Sequence, residues 1–314
     1  MHHYLISDFS AGDRVEGYYI IHRVENRKTA QGKPFLSAVI VDASGSVNAV
    51  FWDYAPGVDS RDNGKVVFLS ASVGEYNGTP QLRLNSLRLA EKDENFSPEK
   101  LVATAPLDVE RAMADVDALV ATIEDEDYRR LCETMLQRHR DTFMSIPAAK
   151  SVHHAFLHGL LMHTVNMLQT ADFLAAQYSY AINRSLLLAG TLLHDFAKAA
   201  EFDFSPMGLA VDYSVRGELL GHLYMGACAV DRMARELGLP AEKSMLLQHM
   251  LLSHHGQPEF GAAVVPKCAE SELLSLIDMV DSRMEIYAET MEKNAPGTFS
   301  ERIFALEKRV YCHE

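Results

Sequence analysis

The sequence at residues 186–198 is LLLAGTLLHDFAK, an apolar run that ends in an adjacent imidazole and carboxylate, His194 and Asp195. The length and continuity of this run predict a buried helix. Burial of a histidine and an aspartate beside it is costly unless both side chains find partners. The run therefore predicts a helical core with a polar centre, and a divalent cation is a partner that accepts both side chains.

Further candidate ligands lie beside apolar runs elsewhere in the chain. They are His163, His222, the doublet His254-His255 and Asp278. A lone core histidine is more often hydrogen-bonded than metal-bound, but imidazoles and carboxylates on several separate helices favour a metal centre. Because consecutive helix positions differ by about 100°, His194 and Asp195 would share one metal only at the rim of their helix. Alternatively, Asp195 would bridge two metals.

The composition is that of an ordinary globular protein, with 48% apolar and 23% charged residues in a chain long enough for two domains. The sequence has no apolar run of membrane-spanning length and no signal-peptide pattern at its start, so we expect no membrane association and a cytoplasmic location. The four cysteines, Cys132, Cys228, Cys268 and Cys312, form no CxxC pair. We therefore expect reduced thiols, and neither a structural zinc site nor a disulfide framework.

The net charge of -14 argues against a large non-specific nucleic-acid surface. Its distribution is uneven, because residues 1–92 hold ten basic and ten acidic side chains, whereas the rest hold nineteen and thirty-three. The N-terminal part is thus neutral and can present a local basic stripe.

The N-terminal part is rich in β-forming residues. The pattern predicts five strands at residues 15–24, 35–42, 47–52, 65–73 and 81–89, with a turn at Asn77-Gly78 and a polar first loop at 25–33 that carries Arg27, Lys28 and Lys33. Five short strands with a long basic first loop are typical of a small barrel of the OB type.

From residue 107 the apolar spacing is helical. It predicts helices at 108–123, 128–143, 151–177, 184–199, 217–237, 241–254 and 270–291. The expected fold is therefore a multi-domain α and β protein, with an N-terminal OB-type β-barrel followed by an all-α bundle. We place the barrel at 1–92, a linker and helical segment at 93–148, the metal-binding bundle at 149–292 and a tail at 293–314. Apolar stripes at 107–146 and in the tail would pack on the bundle or on another subunit of a homo-oligomer.

The order His…His-Asp…His…His-His…Asp resembles the HD-domain metal-dependent phosphohydrolases. The likeness covers about residues 150–290 and includes Lys198 after the His-Asp pair and Asp281 after Asp278. The segments 32–36, 41–45 and 50–53 resemble the OB domain of the YhaM-type 3′→5′ exoribonucleases. Segments 153–156, 159–164 and 254–257 resemble the HD domain of the same family.

This resemblance implies a set of metal ligands and catalytic residues. One metal would be held by His163, His194, Asp195 and Asp278, and a second by Asp195, His222, His254 and His255. Two divalent ions are expected, with Mn²⁺ favoured and Fe²⁺, Co²⁺ or Mg²⁺ also suited to these ligands. Asp195, Lys198 and His255 would be catalytic, with Lys198 contacting a phosphate oxygen. Whether His255 binds the second metal or the phosphate stays open.

The activity that the resemblance implies is 3′→5′ hydrolysis of single-stranded RNA, and of single-stranded DNA as a further substrate, to nucleoside 5′-monophosphates. Basic and aromatic residues of the barrel would bind the strand, namely Arg27, Lys28, Lys33, Phe35, Trp52 and Arg83. Two alternatives stay open. One is a phosphohydrolase of nucleotides or cyclic dinucleotides, although Gly256-Gln257-Pro258 stands where the latter would have Gly-Tyr-Pro. The other is a non-catalytic single-strand-binding protein.

Overall fold

The computed structural model describes residues 4–29, 31–54, 57–76, 78–91, 94–148, 156–205 and 207–314. The chain divides into two compact units, Met1–Thr104 with Phe204–Val211, and Ala105–Asp203 with Asp212–Glu314. The boundaries at residues 92, 148 and 292 that the sequence suggests stay a proposal.

The first unit contains a closed five-stranded barrel. Its strands are β1 (Arg14–Lys28), β2 (Pro34–Asp42), β3 (Gly45–Trp52), β4 (Val66–Tyr76) and β5 (Thr79–Leu89). They join in the order β1-β2-β3-β5-β4, in which β3 and β5 run parallel and the other pairs antiparallel. Alternate side chains, such as Leu36, Ile40, Leu69 and Leu82, fill the interior. This five-stranded closure confirms the predicted OB-type barrel.

The first loop is shorter than the sequence suggested. Polar residues 25–28 continue β1 instead of starting a loop, because each pairs with a residue of β2, from Glu25 with Ser37 to Lys28 with Pro34. Arg27 and Lys28 therefore lie on a strand, and only Lys33 of the three basic residues lies in the loop. Asn77 of the predicted turn lies outside the described residues. Its neighbours Tyr76 and Thr79 are paired as the ends of β4 and β5.

The second unit is helical, as predicted. The short helix α1 (Pro98–Leu101) still belongs to the first unit. The helices of the second unit are α2 (Val109–Ala121), α3 (Glu126–Ser145), α4 (Gly159–Gln177), α5 (Arg184–Leu193), α6 (Lys198–Glu201), α7 (Val215–Leu237), α8 (Ala241–Ser253) and α9 (Ala269–Lys293). Two short strand pairs were not predicted, β6 (Phe202–Phe204) with β7 (Ala210–Tyr213) and β8 (Thr298–Phe299) with β9 (Tyr311–Cys312). Within the described residues, no helix is long and apolar enough to cross a membrane. All four cysteines are free.

The predicted helix 184–199 is in fact two helices separated by a turn. Helix α5 ends at Leu193, and the chain then makes short-range turns in which Phe196 N donates to Leu193 O and Lys198 N to Asp195 O. His194 and Asp195 thus lie where the helix ends rather than within it. Helix α7 is also interrupted, at Gly221, which has φ 67° and ψ 158°. Residues 151–155 of the predicted helix 151–177 lie outside the described residues.

Candidate functional site

The ends and inner faces of five helices bring the seven predicted ligands together. His163 lies on α4, His194 and Asp195 follow α5, His222 follows the break in α7, His254 and His255 follow α8, and Asp278 lies on α9. They form two subsets. The first contains His163, His194 and Asp195, and the second contains His222, His254 and His255. Within each subset, the ligand atoms all lie within 4.8 Å of one another. Asp278 Oδ1 lies 3.4 Å from His163 Nε2 and so joins the first subset.

Asp195 lies between the two subsets and faces each with a different oxygen. Its Oδ2 lies 3.3 Å from His194 Nε2 and 3.7 Å from His163 Nε2. Its Oδ1 lies 3.4 Å from His222 Nε2 and 3.7 Å from His254 Nε2. The side chain is only 3% exposed. A single buried carboxylate thus separates two groups of imidazoles, which is the geometry of a bridging ligand.

All five histidines of the site have Nδ1 engaged outside the cluster. The partners are Asp281 Oδ2 for His163 at 2.7 Å, Thr191 O for His194 at 2.7 Å, Glu201 Oε1 for His222 at 2.8 Å, Leu251 O for His254 at 2.8 Å and Phe260 O for His255 at 2.9 Å. Because these partners are acceptors, each Nδ1 carries a hydrogen. This arrangement directs Nε2 of each ring into the site, and it selects the tautomer that binds metals through Nε2.

Several buried polar atoms around Asp195 have no hydrogen-bond partner in the part of the chain that the structure describes. Among the described residues, Asp195 Oδ1, His222 Nε2 and His254 Nε2 are buried and have no hydrogen-bond partner. Buried polar atoms are rarely left unpaired, because each costs about 1–3 kcal/mol. A cation between these atoms would satisfy all of them, so the residues present fit divalent metal ions held by nitrogen and oxygen.

The charges around Asp195 keep it ionised. Burial alone would raise the pKa of Asp195, but Lys198 and His194 hold it well below its usual value. Lys198 Nζ contacts Asp195 Oδ2 at 2.6 Å, and the lysine side chain is 12% exposed. Burial and the neighbouring His194 lower the pKa of His254 well below its usual value, so its ring is neutral. An ionised carboxylate and a neutral imidazole are the forms that bind a cation.

Sequence reasoning missed one buried carboxylate of the site. Glu201, at the end of α6, is 6% exposed and contacts both the ring and the backbone N–H of His222. The sequence feature that could have identified Glu201 is an acidic residue between Ala200 and Phe202, six positions after Asp195. His158, by contrast, lies before α4 with Nδ1 bonded to Met144 O, and it belongs to neither metal-ligand subset.

Four of the six predicted nucleic-acid residues lie on one outer face of the barrel. In the strand register, Arg27 of β1 lies opposite Phe35 of β2, which lies opposite Trp52 of β3. Directly opposed residues share a face of a sheet, and the rings of Phe35 and Trp52 lie 5.0 Å apart with Trp52 47% exposed. Arg83 of β5 pairs with Val50, two positions before Trp52, and so faces the same side.

The basic residues beside this face differ in their contacts. Lys33 Nζ lies 4.0 Å from Asp53 Oδ1, and Arg27 pairs with Glu25. Lys28 lies at the end of β1, opposite Pro34. All three side chains are exposed. Phe51, an aromatic neighbour, packs against the barrel core instead. The exposed face on β2 and β3 is the surface with which OB barrels bind single strands.

Comparison with known proteins defines the class of the helical unit. The family model described as HD domain matches residues 160–283, which include all seven candidate ligands. The helical unit therefore contains an HD domain, in which the His194-Asp195 pair is the namesake motif.

Full-length relatives define the family more narrowly. The 3′-5′ exoribonuclease YhaM of Geobacillus sp. (strain WCH70) is 34% identical over 98% of this chain and 94% of that protein. The protein of the same name from Bacillus velezensis is 34% identical over 96% and 95% of the two chains. The chain belongs to the YhaM family of 3′-5′ exoribonucleases.

Among solved structures, the second OB-fold domain of replication protein A from Methanococcus maripaludis is matched at 14% identity over 30% of this chain and 100% of that domain, with a TM-score of 0.23.

Proposed function

We propose that the protein is a metal-dependent 3′→5′ exonuclease that hydrolyses single-stranded RNA, and single-stranded DNA as a second substrate, to nucleoside 5′-monophosphates. The observation that carries this proposal is the position of Asp195, whose two oxygens face two separate groups of imidazoles. Family membership supports the reaction, because the relatives that match nearly the whole chain are named 3′-5′ exoribonucleases.

Two divalent ions would occupy the site in this proposal. His163, His194, Asp195 and Asp278 would hold one, and Asp195, His222, His254 and His255 the other. The bound ions, of which Mn²⁺ is our first choice, would supply Lewis acidity for the phosphodiester and for an attacking water. His255 is assigned to the second ion because it groups with His222 and His254 within 4.8 Å.

The protein's own residues prepare the site for this reaction. Lys198 compensates the charge of Asp195 from one side, at 2.6 Å, and its ammonium group can also donate to a non-bridging oxygen of a bound phosphate. His255 is the most exposed of the five imidazoles. It is therefore the imidazole of the site that an incoming phosphate group would reach most readily. Lys198 would thus contact the phosphate directly, whereas His255 would act as a ligand of the second ion.

The barrel would hold the single strand. The adjacent rings of Phe35 and Trp52 offer a platform for bases, and stacking on such a platform is worth about 1–3 kcal/mol per base. Arg27, Lys28, Lys33 and Arg83 surround the platform and would contact phosphates without reading sequence. A small nucleotide or cyclic dinucleotide would need no such surface.

We place the activity in the cytoplasm, in keeping with the four free cysteines.

An end-labelling experiment tests this function. Single-stranded RNA labelled at the 5′ end is incubated with protein and Mn²⁺, and identical RNA labelled at the 3′ end is treated in parallel. We expect a ladder of progressively shorter 5′-labelled products and immediate release of labelled mononucleotide from the 3′-labelled strand. The His194→Ala variant should bind the RNA but leave it intact. Turnover of mononucleotides or cyclic dinucleotides without RNA degradation, or no turnover with any of the four metals, would contradict the proposal.

A further inference from the structure

We propose that Glu201 is a positioning residue that fixes His222 as a metal ligand, by binding its ring and its backbone with the same carboxylate oxygen. The inference rests on the proposed function in one respect, the assignment of His222 to a metal ion. Glu201 itself lies outside the ligand set and touches neither subset except through His222.

The contacts of Glu201 leave His222 little freedom. Glu201 Oε1 accepts the backbone N–H of His222 at 2.9 Å and its ring Nδ1–H at 2.8 Å. Both side chains are buried, at 6% and 7% exposure. Because His222 donates both hydrogen bonds to the same oxygen of Glu201, its ring is fixed relative to its own backbone. The same bonds fix the tautomer, so Nε2 keeps its lone pair and points to Asp195 Oδ1, 3.4 Å away.

The break in α7 makes the backbone bond possible. In an uninterrupted helix, the N–H of His222 would donate to the carbonyl four residues earlier. Gly221 instead adopts φ 67° and ψ 158°, a conformation that glycine adopts readily and side-chain-bearing residues avoid. This break turns the N–H of His222 out of the helical pattern and towards Glu201. The interruption therefore has a function in ligand placement.

The backbone of Glu201 is itself fixed against the start of α7. Ser214 N donates to Glu201 O at 2.8 Å, and Ser214 Oγ donates to Ala200 O at 2.8 Å. A Cβ atom on Gly217 would lie 2.0 Å from Glu201 O, so the two backbones approach as closely as glycine permits. Glu201 therefore has a fixed origin from which its side chain reaches His222.

The first ligand subset has a matching arrangement. Asp281 Oδ2 accepts from His163 Nδ1 at 2.7 Å, so each subset contains one imidazole oriented by a carboxylate. The remaining rings are oriented by backbone carbonyls. Carboxylates in this position raise the basicity of the ligating nitrogen, and their loss commonly weakens metal binding about 10–100-fold.

The direct test uses metal-free protein with ¹⁵N-labelled histidine and long-range ¹H–¹⁵N NMR spectra that report ring tautomers. We expect His222 of the native protein to carry its proton on Nδ1. Glu201→Ala should shift it towards the Nε2–H tautomer, and Glu201→Gln, whose amide oxygen still accepts, should retain Nδ1–H. Glu270→Ala is the matched control, because Glu270 is also buried and accepts a backbone N–H, that of Asn183, away from the site.

Calorimetric titration with Mn²⁺ provides the second readout. Glu201→Ala should weaken one of the two binding steps about 10–100-fold, Glu201→Gln should weaken it less, and Glu270→Ala should change neither step. If Glu201→Ala does not fold, the NMR spectrum and titration of Glu201→Gln still decide the matter. Native tautomer and affinity in Glu201→Ala, or equal losses in Glu201→Ala and Glu270→Ala, would overturn the proposal. The tautomer is measured without RNA, so a failed nuclease assay would leave this result standing.

Discussion

Lys198 Nζ lies 2.6 Å from Asp195 Oδ2, and the opposite oxygen of the same carboxylate faces His222 Nε2 at 3.4 Å. The lysine therefore compensates one side of a buried charge, whereas the other side has only acceptors near it. This asymmetry explains why the site fits a cation, and it links the stability of the metal-free protein to Lys198.

Lys198→Met should destabilise the metal-free protein strongly. Removing one partner of a buried ion pair costs about 3–5 kcal/mol, because the remaining charge is left uncompensated. Saturating Mn²⁺ should recover much of this loss, since bound cations would compensate Asp195 instead. Denaturant unfolding with Mn²⁺ and with chelator measures both quantities. An equal loss of stability under the two conditions would show that metal ions do not act on Asp195.

Lys243→Met is the matched control, and it carries a pH prediction of its own. Lys243 Nζ contacts Asp125 Oδ2 at 2.6 Å and Asp127 Oδ2 at 2.8 Å, and Asp125 caps the start of α3. We expect a loss of about 1 kcal/mol at neutral pH, as for partly exposed pairs, and the same loss with or without Mn²⁺.

The pH dependence of this loss follows from the pKa of Asp125. Burial alone would raise that pKa, but hydrogen bonds from Lys243 and from the backbone lower it below its usual value. The pair therefore contributes fully above the unfolded-state pKa of about 3.9, and its contribution is lost as the pH falls through the folded-state pKa. Unfolding curves of the native protein and Lys243→Met should converge in acid. A constant difference down to the acid transition would contradict this assignment.

Trp52→Ala should weaken RNA binding without impairing the metal centre. Loss of one stacking platform costs about 1–3 kcal/mol of binding free energy, or roughly 5- to 150-fold in Kd. Hydrolysis of a small aryl phosphodiester should be unchanged, because that substrate does not need the barrel. Phe304→Ala serves as control, since Phe304 is 92% exposed but lies near the C-terminus. If Trp52→Ala and the native protein bind RNA with equal affinity, the RNA does not stack on Trp52.

Salt dependence separates phosphate contacts from base stacking. Replacing Arg83 or Lys33 by Gln should lower affinity for all sequences and reduce the slope of log K against log salt by about 0.7 for each lost contact with a single strand. Trp52→Ala should leave the slope unchanged, because stacking releases no counterions. Fluorescence anisotropy at several salt concentrations measures both. An unchanged slope in both basic variants would remove these residues from the interface.

The sequence indicated which candidate ligands would come together, but it did not indicate the contacts that orient them. His163, His194 and Asp278 were recognisable because each polar residue interrupts an apolar helical pattern, which is a local signal. The role of Glu201 could not be recognised from the sequence, because it depends on the break at Gly221 and on the close approach of α6 to α7 at Gly217. Both are tertiary features.

The same distinction applies to the fold. Five strands and the major helices follow from periodicity, whereas the extent of β1 does not. Residues 25–28 are polar and resemble a loop, yet they form a strand because β2 provides hydrogen-bonding partners for them. The end of α5 at Leu193 was also missed, since the apolar pattern continues to Phe196 and Ala197 while the backbone turns.

The number and coupling of bound metal ions test the central claim most directly. Protein loaded with Mn²⁺ is separated from free metal, its metal content is determined, and its electron paramagnetic resonance spectrum is recorded. Two ions per chain with an exchange-coupled spectrum are expected, because the carboxylate of Asp195 would join them, and Asp195→Ala should lose the coupling. A single ion per chain, or two ions without coupling in the native protein, would contradict a centre bridged by Asp195.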